Sequence, residues 1–175
     1  MKTETVTPRI YVACLASYNQ GELFGEWIDA TLSVDRIRDA ISNMLHRSRI
    51  PGAEEWAIHD YEGFGCLKLS EYEGIDNVAA LAEAIDKHGE VYALYADHVG
   101  SDYASPEDFQ EKYQGEFRSL EEWAAQFLDE TGAFHGVPEL LKNYFNFESY
   151  ARDAQYSGDI FATEDAGNVH VFWNS

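Results

Sequence analysis

Positive charge is what this sequence most conspicuously lacks. Its 175 residues include 12 lysines and arginines against 32 aspartates and glutamates, a formal net charge of −20. Phosphates are bound by Lys and Arg that displace counterions, so this balance argues against direct binding of DNA or RNA. Cysteine is scarce as well: Cys14 and Cys66 stand alone, without a Cys-x-x-Cys pattern. They offer no disulfide framework and read as reduced thiols of a cytoplasmic protein. No apolar run approaches the roughly 18 residues of a membrane span. The start, Met1-Lys2-Thr3-Glu4-Thr5-Val6-Thr7-Pro8, has no apolar stretch, so no signal peptide is expected.

Catalytic patterns are missing too. His46, His59, His88, His98, His135 and His170 show no metal-ligand spacing such as His-Glu-x-x-His. The pairs His59-Asp60 and Asp97-His98 are adjacent, and adjacent side chains diverge on a strand. There is no Gly-x-Ser-x-Gly, no phosphate-binding loop and no Gly-x-Gly-x-x-Gly; Gly63-Phe64-Gly65 reads as a turn. Carboxylate pairs are frequent, but 32 acids produce them by chance and mark no acid–base couple. No metal, cofactor or reaction is expected.

What is present is material for a core: 45% of residues are hydrophobic and 14% aromatic, which argues against disorder despite the charge. The length fits one domain or two to three small modules. The charge is uneven. Residues 1–50 hold six acids and six bases, whereas residues 51–175 hold 26 acids and six bases and so carry the whole −20. Complementary charge steers association, so a basic protein is the expected partner; the alternative is that acidity serves only solubility.

An α+β fold of three small modules is expected. In the first (1–65), Arg9–Ser17 reads as a buried strand, Tyr18–Gly21 as a turn and Glu22–Ala30 as a second strand. Ser33 is placed to cap a helix with Val34, Ile37, Ile41, Met44 and Leu45 inward, and Trp56–Tyr61 reads as a third strand. In the second (66–103), Asp76 or Asn77 would cap a helix stopped by Gly89, and Glu90–Val99 reads as another helix, with a strand as the alternative. In the third (104–175), Ser105-Pro106-Glu107-Asp108 starts a helix with Phe109 and Tyr113 on its inner side. Ser119 and Glu122 have the spacing of a capping box ahead of an amphipathic helix built on Leu120, Trp123, Ala124, Phe127 and Leu128. Residues 159–163 and 169–173 read as a hairpin around Ala166-Gly167-Asn168.

The acids of the second and third modules are the candidate binding residues: Glu71, Glu73, Asp76, Glu83, Asp86, Glu107, Asp108, Glu111, Glu116, Glu121, Glu122, Asp129 and Glu130. Helical spacings such as Glu107/Glu111 and Glu122/Asp129 set negative points along exposed ridges, although like charges four apart oppose folding by a few tenths of a kcal/mol. Duplex DNA carries one charge per about 1.7 Å of axis, so twenty charges correspond to roughly 34 Å, about ten base pairs. Imitation of DNA is physically sensible on that arithmetic. Residues 136–153, GVPELLKNYFNFESYARD, contrast with this: nearly neutral, and rich in Leu140, Leu141, Tyr144, Phe145, Phe147 and Tyr150. They read either as a core helix or as a contact between two copies of the chain.

Several blocks in order carry a resemblance across nearly the whole length. They are Arg9–Asn19, Gly25–Ala30, Glu55–Phe64, Val137-Pro138-Glu139 with Tyr144-Phe145, and Tyr150-Ala151-Arg152-Asp153. The sequence resembles the ArdA antirestriction proteins. That resemblance implies an elongated, three-domain homodimer that imitates B-form DNA. It also implies a target, the DNA-binding groove of type I restriction–modification enzymes at the methyltransferase core with its specificity subunit. DNA arriving on a mobile genetic element is thereby spared, without catalysis or cofactor. The family's antirestriction motif corresponds to Val137, Pro138, Glu139, Leu141, Tyr144 and Phe145, with Tyr150 beyond it. Where relatives often carry acids beside this motif, the chain has Asn146 and His135-Gly136, which argues against phosphate imitation by the motif itself and leaves an apolar role in packing or dimerisation. The competing reading is a general acidic adaptor for another basic DNA-binding protein; an enzyme would rest only on abundant carboxylates and histidines.

Overall fold

The computed structural model describes residues 6–174, so residues 1–5 of the stretch in which no signal peptide was expected lie outside the described residues. The described chain has an α+β fold with two antiparallel three-stranded sheets and eight helices. Its contacts form two compact units, one ending at Ala104 and the other beginning at Ser105.

The first unit is built on β1 (Arg9–Cys14), whose Ile10, Val12, Ala13 and Cys14 are buried. It lies between β2 (Gly25–Asp29) and β3 (Trp56–Glu62), antiparallel to both. The expected nine-residue first strand is shorter, because Leu15–Tyr18 turns into a helical segment, α1. The reason is local bonding: the Leu15 amide donates to the Glu55 carbonyl (3.0 Å) and the Asn19 amide to the Leu15 carbonyl (2.9 Å). Ser17 is buried there, with its hydroxyl 3.1 Å from that of Ser48 and 3.5 Å from Cys14 Sγ. Apolar content alone could not distinguish this turn from more strand. The second strand is likewise shorter than Glu22–Ala30 and begins at Gly25.

Gly25 is required by its neighbour rather than by its backbone angles. A Cβ there would run into the Val12 carbonyl oxygen and lie 2.9 Å from Ala13 Cα. Gly25→Ala is expected to lower stability by about 2 kcal/mol through displacement of β2 from β1, read as a lower urea midpoint with unchanged slope.

The α2 helix (Val34–His46) packs Ile37, Ile41 and Met44 onto the sheet. Leu45, expected inward, is only half-buried. Ser33 occupies the N-cap position but its side chain makes no capping bond. Next come α3 (Ile75–His88) and α4 (Glu90–Val99), paired through buried Val78, Leu81, Ile85, Tyr92 and Tyr95. The cap of α3 is Gly74, not Asp76 or Asn77, so both fall inside the helix. Residues 90–99 are helical, the first of the two readings, and not a strand.

The second unit opens with α5 (Pro106–Lys112), where Ser105 Oγ accepts from the Asp108 amide at 3.1 Å. Tyr113 does not continue that helix: it begins β4 (Tyr113–Phe117), a strand the sequence pattern did not reveal. Its ring still stacks on Phe109, with centroids 5.3 Å apart. Then follow α6 (Leu120–Glu130), α7 (Glu139–Lys142), α8 (Phe147–Ser157), β5 (Ile160–Asp165) and β6 (Asn168–Trp173), in a sheet ordered β4-β6-β5. The hairpin loop is the two residues Ala166 and Gly167, both with positive φ (49° and 86°), as a tight two-residue turn requires. Asn168, expected in the loop, is paired with Asp165.

Alternation along β5 and β6 sends Ile160 and Val171 toward α6 and α8, where they join Phe117, Trp123, Ala124 and Ala151 in one core. Phe161 and Phe172 pair across the strands and stack, with ring centroids 4.7 Å apart. Ser119 caps α6 by accepting from the Glu122 amide at 3.1 Å. The return bond of the expected box shifts by one residue, Glu122 accepting from the Arg118 amide at 2.7 Å.

Candidate functional site

The helices that build the two cores also decide where the acids stand. Each helix buries one stripe, so residues off that stripe are left in water. On α3, Asp76, Glu83 and Asp86 recur at i, i+7 and i+10, within roughly 80° of arc and about 15 Å of axis. All three are exposed. Exposed Glu107, Asp108 and Glu111 lie on α5, and exposed Glu121, Glu122, Asp129 and Glu130 on α6. Glu116 is exposed on β4, and Glu71 lies exposed ahead of α3. Glu73 differs from the other candidates in being half-buried.

Six of the thirteen are tied to neighbours. Asp76 pairs with Arg38 (2.7 Å), and Glu71 approaches His59 (3.9 Å). Glu73 accepts from the Ser70 amide and from Asn77, Glu116 from Asn168, Glu122 from the Arg118 amide and Glu130 from Gln126. Among the described residues, no side-chain hydrogen bond or ion pair engages the carboxylates of Glu83, Asp86, Glu107, Asp108, Glu111, Glu121 or Asp129. Three of the six basic residues of the first fifty are paired with acids of the same unit. Arg9 pairs with Glu62 and lies over the Trp27 ring, Arg47 pairs with Glu26, and Arg38 pairs with Asp76. By sequence, the first unit holds eighteen acids against eight bases and the second fourteen against four, so each has a net charge of −10. Glu90 and Asp97 of α4 add exposed carboxylates seven residues apart that the candidate set omitted, although their spacing matches Glu122 and Asp129.

The apolar stretch at 136–153 divides in two. Tyr150 is half-buried on Trp123 (centroids 6.3 Å apart), and Ala151 is in the core. Phe145 meets the rings of Phe134 and Phe147 edge to face, at 5.3 and 4.9 Å. The α7 turn is different: it has no buried residue, and Leu140, Leu141 and Tyr144 are 67%, 57% and 81% exposed. Val137 is half-buried, while Pro138 and Glu139 are exposed, with Glu139 3.4 Å from Lys142. The helix that continues the segment, α8, is capped by Asn146, whose side chain accepts from the Ser149 amide at 2.8 Å.

The acid-bearing helices of both units and the aromatic segment between Val137 and Tyr150 all fall within the residues matched by one family model. The model for the antirestriction protein ArdA matches residues 10–168. The chain belongs to the ArdA antirestriction family. No curated protein matches it. Arg9–Cys14 and Trp56–Glu62, which lie within two of the blocks that carry the ArdA resemblance, form adjacent strands of one sheet.

Other titratable groups serve the cores. Burial pushes the Cys14 thiol up, but its hydrogen bonds with Ser17 and Ser48 outweigh this and hold it below its ordinary value. Burial, then the nearby Lys87 charge, pushes the His88 imidazole down. Burial, then the Glu116 carboxylate, pushes the Tyr113 phenol up; its hydroxyl lies 2.9 Å from Nδ1 of buried His170. Cys14 is buried and Cys66 is exposed. Among the described residues, no group of three metal-ligating side chains comes together, and no helix is long and apolar enough to cross a membrane.

Proposed function

We propose that this ArdA protein inhibits type I restriction–modification enzymes by offering their DNA-binding groove, at the methyltransferase core with its specificity subunit, a carboxylate surface in place of DNA phosphates. The observation that carries the reading is the exposure of unpaired acids along α3, α5 and α6, with a net −10 in each unit. Successive phosphates of one DNA strand rise about 3.4 Å, closer than carboxylates seven residues apart on a helix (about 10 Å). The imitation is therefore one of field rather than of atoms. No bond is made or broken in this mode of action. It works by occupancy alone.

Displacement of labelled duplex DNA from a purified type I enzyme tests the reading. The protein is expected to displace DNA, and its affinity to fall steeply as salt rises, as exposed ionic contacts are screened. An affinity insensitive to salt would refute it. Equal displacement from unrelated DNA-binding proteins would support a general acidic adaptor instead.

The exposed α7 turn is assigned, within this reading, to a contact between two copies of the chain. Exposed Tyr144 supplies the aromatic anchor that interface centres favour, and exposed Leu140 and Leu141 add apolar area on the same turn. Tyr144→Asp is expected to sediment as a monomer at concentrations where the parent is a dimer, because a carboxylate would be buried unpaired. A folded Tyr144→Asp protein that remains dimeric would exclude Tyr144 from that contact.

A further inference from the structure

We propose that a cleft in the first unit is a docking groove for a short segment of a basic protein, one that inserts apolar side chains between lysines or arginines. The inference rests on the reading of the acidic surface as a ligand for a basic protein, and adds the place where an uncharged anchor seats.

The cleft measures about 910 Å³ and lies between the second half of α2, the loop that follows it and the residues leading into α3. That is near the upper end of the roughly 300–1,000 Å³ typical of ligand pockets, so it has room for several side chains. Its apolar lining comprises Ile41, Leu45, Ile50, Trp56 and Ile75, with Tyr72 at the lip. Ile41 and Ile75 are buried, Leu45, Ile50 and Trp56 are half-buried, and Tyr72 is 69% exposed. Imitation of phosphates by exposed acids does not account for such a groove, and a roomy, largely apolar cleft is the usual form of a binding site.

Charge selects the occupant. Glu54, Glu73 and Asp76 line the same cleft. Among the described lining residues Arg38 is the one lysine or arginine, and its charge is met by Asp76 at 2.7 Å. His46 also lines it, with Nδ1 2.7 Å from the Ser42 carbonyl. An acidic peptide or a nucleic acid would be repelled here. A basic segment with apolar anchors meets both the lining and the rim, in the manner of amphipathic segments laid into grooves.

The test uses the full-length protein and a fluorescein-labelled peptide with leucines at every third or fourth position among lysines, against the same peptide with serines for leucines. Anisotropy is read at about 0.15 M salt to limit bare charge attraction. The leucine peptide is expected to bind about tenfold more tightly than the serine peptide, the preference typical of one well-seated anchor. Ser42→Trp, which fills the cleft from an exposed position, and Tyr72→Ala are each expected to abolish that preference with an unchanged circular dichroism spectrum. Equal binding of the two peptides, or a preference that survives both substitutions, would overturn the proposal. DNA displacement by the unsubstituted protein is scored separately. Its failure removes the restriction-enzyme reading while leaving a positive peptide result as evidence for the groove.

Discussion

Changing Glu83, Asp86, Glu107, Glu111, Glu121 and Asp129 together to lysine is expected to abolish inhibition while leaving the protein folded. All six are exposed, and their carboxylates make no hydrogen bond or ion pair among the described residues, so no fold-stabilising contact is lost. The formal net charge moves from −20 to −8. An exposed ion pair contributes about 0.5 kcal/mol, so six lost pairs amount to about 3 kcal/mol, or roughly 100-fold in affinity. Reversal adds repulsion to that loss. Glu111→Gln alone is expected to change affinity by no more than about twofold, because the field is collective. Circular dichroism and a urea titration establish folding, and displacement of duplex DNA from the enzyme gives the affinity. A folded sextuple variant with full inhibition would contradict the mimicry.

The second large effect concerns the scaffold. Trp123 is 1% exposed and lies among Phe127, Tyr150 and Trp173, with ring centroids 5.5, 6.3 and 6.2 Å away. It is the largest side chain of the core that joins α6, α8 and the sheet β4-β6-β5. Trp123→Ala is expected to cost about 4 kcal/mol, the loss of buried area compounded by a cavity that its aromatic neighbours cannot close. Trp123→Phe should cost far less, about 1.5 kcal/mol or below. The indole Nε1 has no hydrogen-bond partner among the described residues, so phenylalanine forfeits volume but no bond. Urea unfolding followed by far-ultraviolet circular dichroism measures both. Equal losses in the two variants would show that a bond to the indole, rather than packing, holds the residue.

Much of this scaffold was legible because its signals are local. Ser105-Pro106 and Ser119 announce α5 and α6 through bonds made within four residues. Gly89 separates two apolar helical patterns, and Ala166-Gly167 closes a hairpin. The misreadings occur where distant partners decide the backbone. β4 follows α5 without a break, and its strand character comes from pairing Tyr113–Phe117 with β6, more than fifty residues away. Leu15-Ala16-Ser17 looks like more strand, yet bonds to Glu55 and Ser48 turn it.

The candidate surface divides along the same line. Exposure of Glu83, Asp86 and Asp129 follows from helical period and needs no tertiary information. The exposure of Leu140, Leu141 and Tyr144 does not, since an apolar stretch reads equally well as core. Tyr150, four residues on the helical side of Asn146, does pack on Trp123. The cleft was invisible to any local pattern, because segments within 38–46, 48–56 and 72–76 assemble it from separate parts of the chain.

The central claim, that this ArdA protein blocks restriction by standing in for DNA, is tested most directly by cleavage of unmodified DNA by a purified type I enzyme. The assay is run with and without the protein across a range of DNA concentrations. Cleavage is expected to stop at sufficient protein and to return as the concentration of the unmodified DNA substrate is raised. Undiminished cleavage at saturating protein, or inhibition that no excess of DNA relieves, would contradict it.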